Sequence, residues 1–88
     1  MPDEAHEVSL VERLRSGDRS GFEHLVRDYG GRLLATARRL LHNNEDARDA
    51  VQDAFLSAVR SLDRFDGDAR LSTWLHRIVI NAALMKLR

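Results

Sequence analysis

Cysteine is absent from this 88-residue chain, and proline occurs once, at Pro2. The first absence excludes disulfides and thiolate metal sites and is compatible with a reducing, cytoplasmic setting. The second leaves helices free to run through the rest of the chain without a forced break. Long apolar runs are also missing: stretches such as Ile78-Val79-Ile80 are a few residues long, so no transmembrane segment is expected. Met1-Pro2-Asp3-Glu4 has neither a basic n-region nor an apolar h-region, so no secretory signal is expected. His6, His24, His42 and His76 lack ligand spacing, which argues against zinc. No nucleophile elbow, H-E-x-x-H, P-loop or dinucleotide fingerprint occurs, and Asp63, Asp66 and Asp68 miss the EF-hand positions. An enzyme is therefore not expected, and neither a catalytic residue, a cofactor nor a metal site is assigned.

What is present is enough for one domain. Apolar residues make up 43% of the chain, sufficient for a single helical core, although a domain this small buries only about 60–65% of the surface its unfolded chain exposes. Net charge is zero, but the charges are sorted along the sequence. Residues 1–44 balance seven acids against seven arginines. Residues 45–68 hold seven acids (Glu45, Asp46, Asp49, Asp53, Asp63, Asp66, Asp68) and three arginines (Arg48, Arg60, Arg64). Residues 69–88 hold Arg70, Arg77, Lys86 and Arg88 and no acid. The asymmetry points to two partners of opposite sign, one basic and one anionic; ordinary solvated helix faces are the plain alternative.

With no strand-like alternation, the fold class reads as all-α, a compact bundle of about four helices. Ser9-Leu10-Val11-Glu12 fits a capping box that opens a first helix with Leu10, Val11 and Leu14 inward and Gly17 as its stop. A second segment starts at Asp18 or Ser20 and carries Phe22, Leu25, Val26 and Tyr29. Gly30-Gly31 interrupts it at about 1 kcal/mol each relative to alanine. Leu33, Leu34, Ala37, Leu40 and Leu41 resume the period, so one long bent helix is expected, with two helices as the alternative. Asn44 is placed as cap of a third helix, with Glu45 and Asp46 at the end where the macrodipole favours acids. Ala47, Ala50, Val51, Ala54, Phe55, Ala58, Val59 and Leu62 form its apolar stripe, and the alanines imply close helix–helix contact. Asp49, Gln52, Asp53 and Leu56 lie opposite, where an apolar Leu56 amid acids reads as a contact surface. A nine-residue loop from Asp63 to Leu71, containing Gly67, precedes a last helix capped by Ser72. Its core face is read as Leu71, Trp74, Leu75, Ile78, Ala82 and Met85, its outer face as Thr73, Arg77, Ile80, Asn81, Leu84 and Arg88.

Asp46-Ala47-Arg48-Asp49-Ala50-Val51-Gln52-Asp53-Ala54-Phe55-Leu56 resembles the region 2.2 signature of extracytoplasmic-function (ECF) sigma factors of the sigma-70 family, an acidic D-x-x-D-[LA]-V-Q-[ED]-x-F pattern. Phe65-Asp66-Gly67-Asp68, then Ser72-Thr73-Trp74-Leu75-His76-Arg77-Ile78 and Asn81, resemble regions 2.3 and 2.4. Gly17-Asp18, Phe22, Leu25-Val26 and Tyr29 match the first helices of the same family. The resemblance runs in order from Leu10 to Arg88 and implies a single sigma-2 domain over 1–88: an N-terminal helix (1–17), then segments like region 2.1 (18–42), region 2.2 (44–62) and regions 2.3/2.4 (63–88).

By that resemblance the domain is an initiation factor module without catalysis of its own. Asp49, Gln52, Asp53 and Leu56 would dock on the clamp helices of the β′ subunit of the RNA polymerase core. Gly67, Asp68, Ala69 and Arg70 in the loop, with Arg77, Asn81 and Lys86 on the last helix, would hold the melted, single-stranded −10 promoter DNA, one base flipped into a loop pocket. A flipped base is read on its exposed edge by small polar groups while cations track phosphates. The Asn81 amide offers donor and acceptor together, whereas Arg77 and Lys86 position without specifying. Asp68 could accept from a base amino group or close the loop, and Trp74 reads as core. An anti-sigma factor is a further implied partner.

Departures from the family are informative. Primary sigma factors have an aromatic pair where this chain has Trp74-Leu75, which implies weaker melting and stricter promoter dependence here. His76 stands where tyrosine is frequent. Region 4, the family's reader of the −35 element, is absent from these 88 residues, so weak binding of the isolated domain is expected. Two alternatives remain open: a helical interaction domain that mainly serves an anti-sigma factor, and a helix-turn-helix duplex DNA binder. Against the second, the nine-residue connection exceeds the usual three- or four-residue turn.

Overall fold

Among the residues that the computed structural model describes, 4–87, the chain folds into four α-helices and no strand. They are α1 (Glu4–Arg15), α2 (Arg19–Leu40), α3 (Asn44–Arg60) and α4 (Leu71–Lys86), with a 3-10 turn at Leu62–Arg64 after α3. The all-α bundle expected from the helical periodicity is the observed fold. No described helix is long and apolar enough to cross a membrane. Met1, Pro2, Asp3 and Arg88, the last expected on the outer face of α4, lie outside the described residues.

α1 begins earlier than the Ser9 capping box predicts. The helix already runs from Glu4, leaving Ser9 and Glu12 as exposed mid-helix positions. The turn before Ser9 is held helical by Glu7, whose carboxylate is tied to Arg70 and to the backbone of Leu71. Leu10, Val11 and Leu14 face the core as expected. The helix ends at Gly17, with φ +80°, where Gly17 N–H donates to Leu14 and Asp18 N–H to Arg13, the paired bonds of a Schellman stop.

Asp18 then caps α2, accepting from Ser20 N–H at 3.0 Å. Arg13 fastens the α1–α2 corner with all three guanidinium nitrogens: Nε donates to Asp18, Nη2 to Ser20 Oγ and Nη1 to His24 Nδ1. Hydrogen bonds from the Ser20 hydroxyl and then Arg13 hold the Asp18 carboxyl below the usual carboxylate range. α2 continues through Gly30-Gly31 as one helix; the glycine penalty is outweighed by burying Leu25, Tyr29, Leu33 and Ala37 along a single face. Val26, expected on that face, lies at its edge and is exposed.

Asn43, rather than Asn44, caps α3. Its backbone is extended (φ −106°, ψ 125°), as a cap requires, and its Oδ1 accepts from Asp46 N–H at 3.1 Å. Asn44 is already the first helical residue, and its Oδ1 accepts from Arg38 Nε instead. Ala47, Ala50, Ala54 and Ala58 are essentially solvent-free. With side chains this small, α3 can lie close against α4. Phe55 packs edge-on to Phe22, ring centroids 6.4 Å apart. Val59 falls at the margin of the stripe and is exposed.

The core face of α4 differs from the expected one. Leu71, Leu75, Val79 and Ala83, spaced by four, are fully buried, while Trp74, Ile78 and Ala82 are partly buried beside them. Met85, expected inside, is 71% exposed. α4 is apolar on almost every side, so pattern alone does not set its rotation; the row spaced by four joins the alanines of α3 in the common core, and Met85 turns outward. Ser72 lies within the first turn and does not cap it. Arg70 holds the cap position, but its side chain turns to Glu7 and caps no helix amide.

Candidate functional site

Two surfaces and a loop carry the candidate residues. On α3, positions 49, 52, 53 and 56 share one face because they are three and four apart. All four are exposed: Asp49, Gln52, Asp53 and Leu56, the leucine at 46%. The helix that buries its alanines therefore presents two carboxylates and an amide around one apolar knob on the opposite side.

α4 contributes Arg77 and Asn81, both exposed, and the half-buried Lys86. Asn81, Ile78, Ala82, Met85 and Lys86 meet Asp53 and Ser57 of α3 along an open groove of about 500 Å³. Lys86 Nζ reaches Asp53 Oδ2 at 3.6 Å, with the aspartate side chain 61% exposed. An ion pair this exposed is worth at most about 1 kcal/mol, but it places the acidic face of α3 directly beside the cationic end of α4.

The loop sits at the other end of α4. Gly67 has φ +86°, a left-handed conformation that glycine adopts without cost. Asp66, not Asp68, closes the turn: Asp68 N–H donates to Asp66 Oδ1 at 3.0 Å, leaving the Asp68 side chain exposed. Phe65 is buried and packs on Trp74, centroids 5.0 Å apart, which anchors the loop to the first turn of α4. Trp74 is thus a half-buried packing residue, as its apolar neighbours predict. Phe65, Asp66, Gly67, Ala69 and Arg70 form one wall of a cleft of about 390 Å³ whose other wall is α1. Asn81 lies ten residues beyond Leu71, on the order of 15 Å along the helix axis, so the structure gathers Gly67, Ala69 and Arg70 at one end and Asn81 with Lys86 at the other.

Sequence reasoning missed the α1 wall. Glu7 Oε1 accepts from both Arg70 Nε (2.9 Å) and Arg70 Nη2 (2.8 Å), while Oε2 accepts from Leu71 N–H at 3.4 Å. Arg15 Nη2 donates to the carbonyls of Leu62 (3.2 Å) and Phe65 (2.5 Å). A signal existed: Glu7 lies three and four residues before Leu10 and Val11, and is an acid on the buried stripe. Its partners, more than sixty residues away, leave no local trace.

Residues 25–88 match the family model for sigma-70 region 2. The chain belongs to that family. Among relatives of this sigma-2 domain, the ECF RNA polymerase sigma factor SigM of Mycobacterium tuberculosis is 48% identical over 86 residues, 94% of this chain and 44% of that protein. The ECF RNA polymerase sigma-E factor of Escherichia coli is 39% identical over 83 residues, 94% of this chain and 43% of that protein. The sigma-2 domain thus spans less than half the length of these relatives, and it is of the ECF type. A solved structure of an engineered region 2 of sigmaE in complex with GTAAAA superposes with a TM-score of 0.81 at 40% identity, covering 90% of this chain and 82% of that one.

Proposed function

We propose that this sigma-2 domain takes part in transcription initiation, working in the cytoplasm by binding alone. Its α3 face docks on the β′ clamp helices of RNA polymerase, and its loop and α4 hold the unpaired −10 promoter strand. The observation that carries the reading is the likeness, at 40% identity, to a region 2 complexed with GTAAAA. The sorted surfaces agree with it. Asp49, Gln52, Asp53 and Leu56 form an exposed acidic patch with an apolar centre, suited to a cationic protein surface. Arg77, Asn81 and Lys86 lie on α4, where cations track phosphates and an amide reads a base edge. An anti-sigma factor covering either surface would block the activity.

Two measurements test this. Changing Asp49 and Asp53 to lysine should weaken binding to isolated β′ clamp helices by about tenfold or more, while costing about 1 kcal/mol or less in stability. Unchanged affinity rejects the docking face. Asn81→Ala should lower discrimination among single-stranded −10 oligonucleotides more than it lowers overall affinity; duplex preferred over single strand rejects the melted-strand reading.

A further inference from the structure

The cleft between α1 and the loop contains a carboxylate in an unusual place. Glu7 is only 8% exposed, the sole buried charged side chain among the described residues. Burying a carboxylate is costly unless it is paired and hydrogen-bonded, and Glu7 is both. Its two oxygens take separate tasks: Oε1 holds the Arg70 guanidinium, and Oε2 accepts from Leu71 N–H. Leu71 is the first residue of α4, and the Arg70 side chain at the cap position caps none of its amides. The amide of Leu71 is therefore served by a carboxylate from another helix, on the side where the macrodipole favours a negative charge. Eight residues further along α1, Arg15 grips the carbonyls of Leu62 and Phe65 at the other end of the same loop. One rigid helix thus fixes both ends of the segment 65–70.

We infer that Glu7, with Arg15, is a positioning residue for base recognition: α1 sets the conformation of the loop from its two ends without touching DNA. The inference rests on the proposal that this loop reads the −10 strand. Arg70, expected on sequence grounds to contact DNA, presents Nε and Nη2 to Glu7, and its first duty is to hold the loop. A loop held at one end only keeps its residues but loses their fixed spacing. Discrimination between bases then falls while phosphate-driven affinity, set by cations elsewhere, persists.

The experiment uses the full chain and the single-stranded hexamer GTAAAA with its single-base variants, measured by fluorescence anisotropy for wild type, Glu7→Gln and Arg15→Lys. Amide exchange at Leu71 is followed in parallel. Wild type should discriminate among the hexamers. Both variants should lose discrimination on the order of tenfold, the worth of one base-edge contact, with affinity for an unrelated hexamer within about twofold. In Glu7→Gln, Leu71 should also exchange faster while amides in α2 and α3 stay protected. Arg15→Lys keeps the charge and loses the fork, so it serves should Glu7→Gln not fold. Wild-type discrimination that both folded variants retain overturns the inference and leaves the loop reading intact. Wild-type binding blind to base identity overturns the loop reading, and the inference with it.

Discussion

Among the described residues, Tyr29 is the largest fully buried side chain, and its hydroxyl finds no hydrogen-bond partner there. An unpaired buried polar group costs about 1–3 kcal/mol, so Tyr29→Phe is expected to leave stability unchanged or raise it by about 1 kcal/mol. A urea midpoint that falls would mean the hydroxyl is bonded in solution. Burial, then the nearby Glu7 charge, raise the Tyr29 hydroxyl above its ordinary value of 10.0. The fold therefore favours the neutral form: this contribution is complete at neutral pH and is lost as pH rises past that ordinary value. Melting temperature should drop between about pH 9 and 11 in wild type and drop less in Tyr29→Phe. Phe55 behaves differently, because its ring fills the seam against Phe22. Phe55→Ala should cost about 3–5 kcal/mol, readable as a large shift of the same urea midpoint.

Among the elements, the ends of α3 and α4 show where sequence reasoning reached its limit. Asn43 and Asn44 are equally good caps by composition; only the extended backbone at Asn43 decides between them. Asn43→Ala should therefore cost about 1 kcal/mol and Asn44→Ala distinctly less, measured by thermal unfolding; equal losses would contradict this assignment. α3 was legible because its stripe is pure, with alanines on one side and acids on the other, and its exposed Asp49, Gln52, Asp53 and Leu56 follow from that contrast. α4 was legible as a helix but not in rotation, since Ile78, Val79, Ile80, Ala82, Ala83, Leu84 and Met85 surround its axis with apolar groups. Glu7 and Arg15 were missed because what they do depends on contacts with residues 62–71, which no local pattern encodes.

For the whole molecule, zero net charge conceals a sorted surface, and that sorting limits how salt acts on it. Few cations on α4 face the proposed strand, so the log–log salt dependence of single-strand binding should be shallow, a slope of about −1 to −2 for two or three neutralised phosphates. A much steeper slope in an anisotropy titration would mean that arginines of α1 or α2 also reach the strand. The α1 helix carries a different kind of consequence. The family match begins at Leu25, inside α2, yet Leu10, Val11 and Leu14 lie in the common core and Asp18 caps α2. A fragment cut where the region 2 match starts would open the hydrophobic interior, shorten α2 by nearly two turns and release the 62–71 segment at both ends. Here the segment that matches region 2 is shorter than the set of helices that share one core.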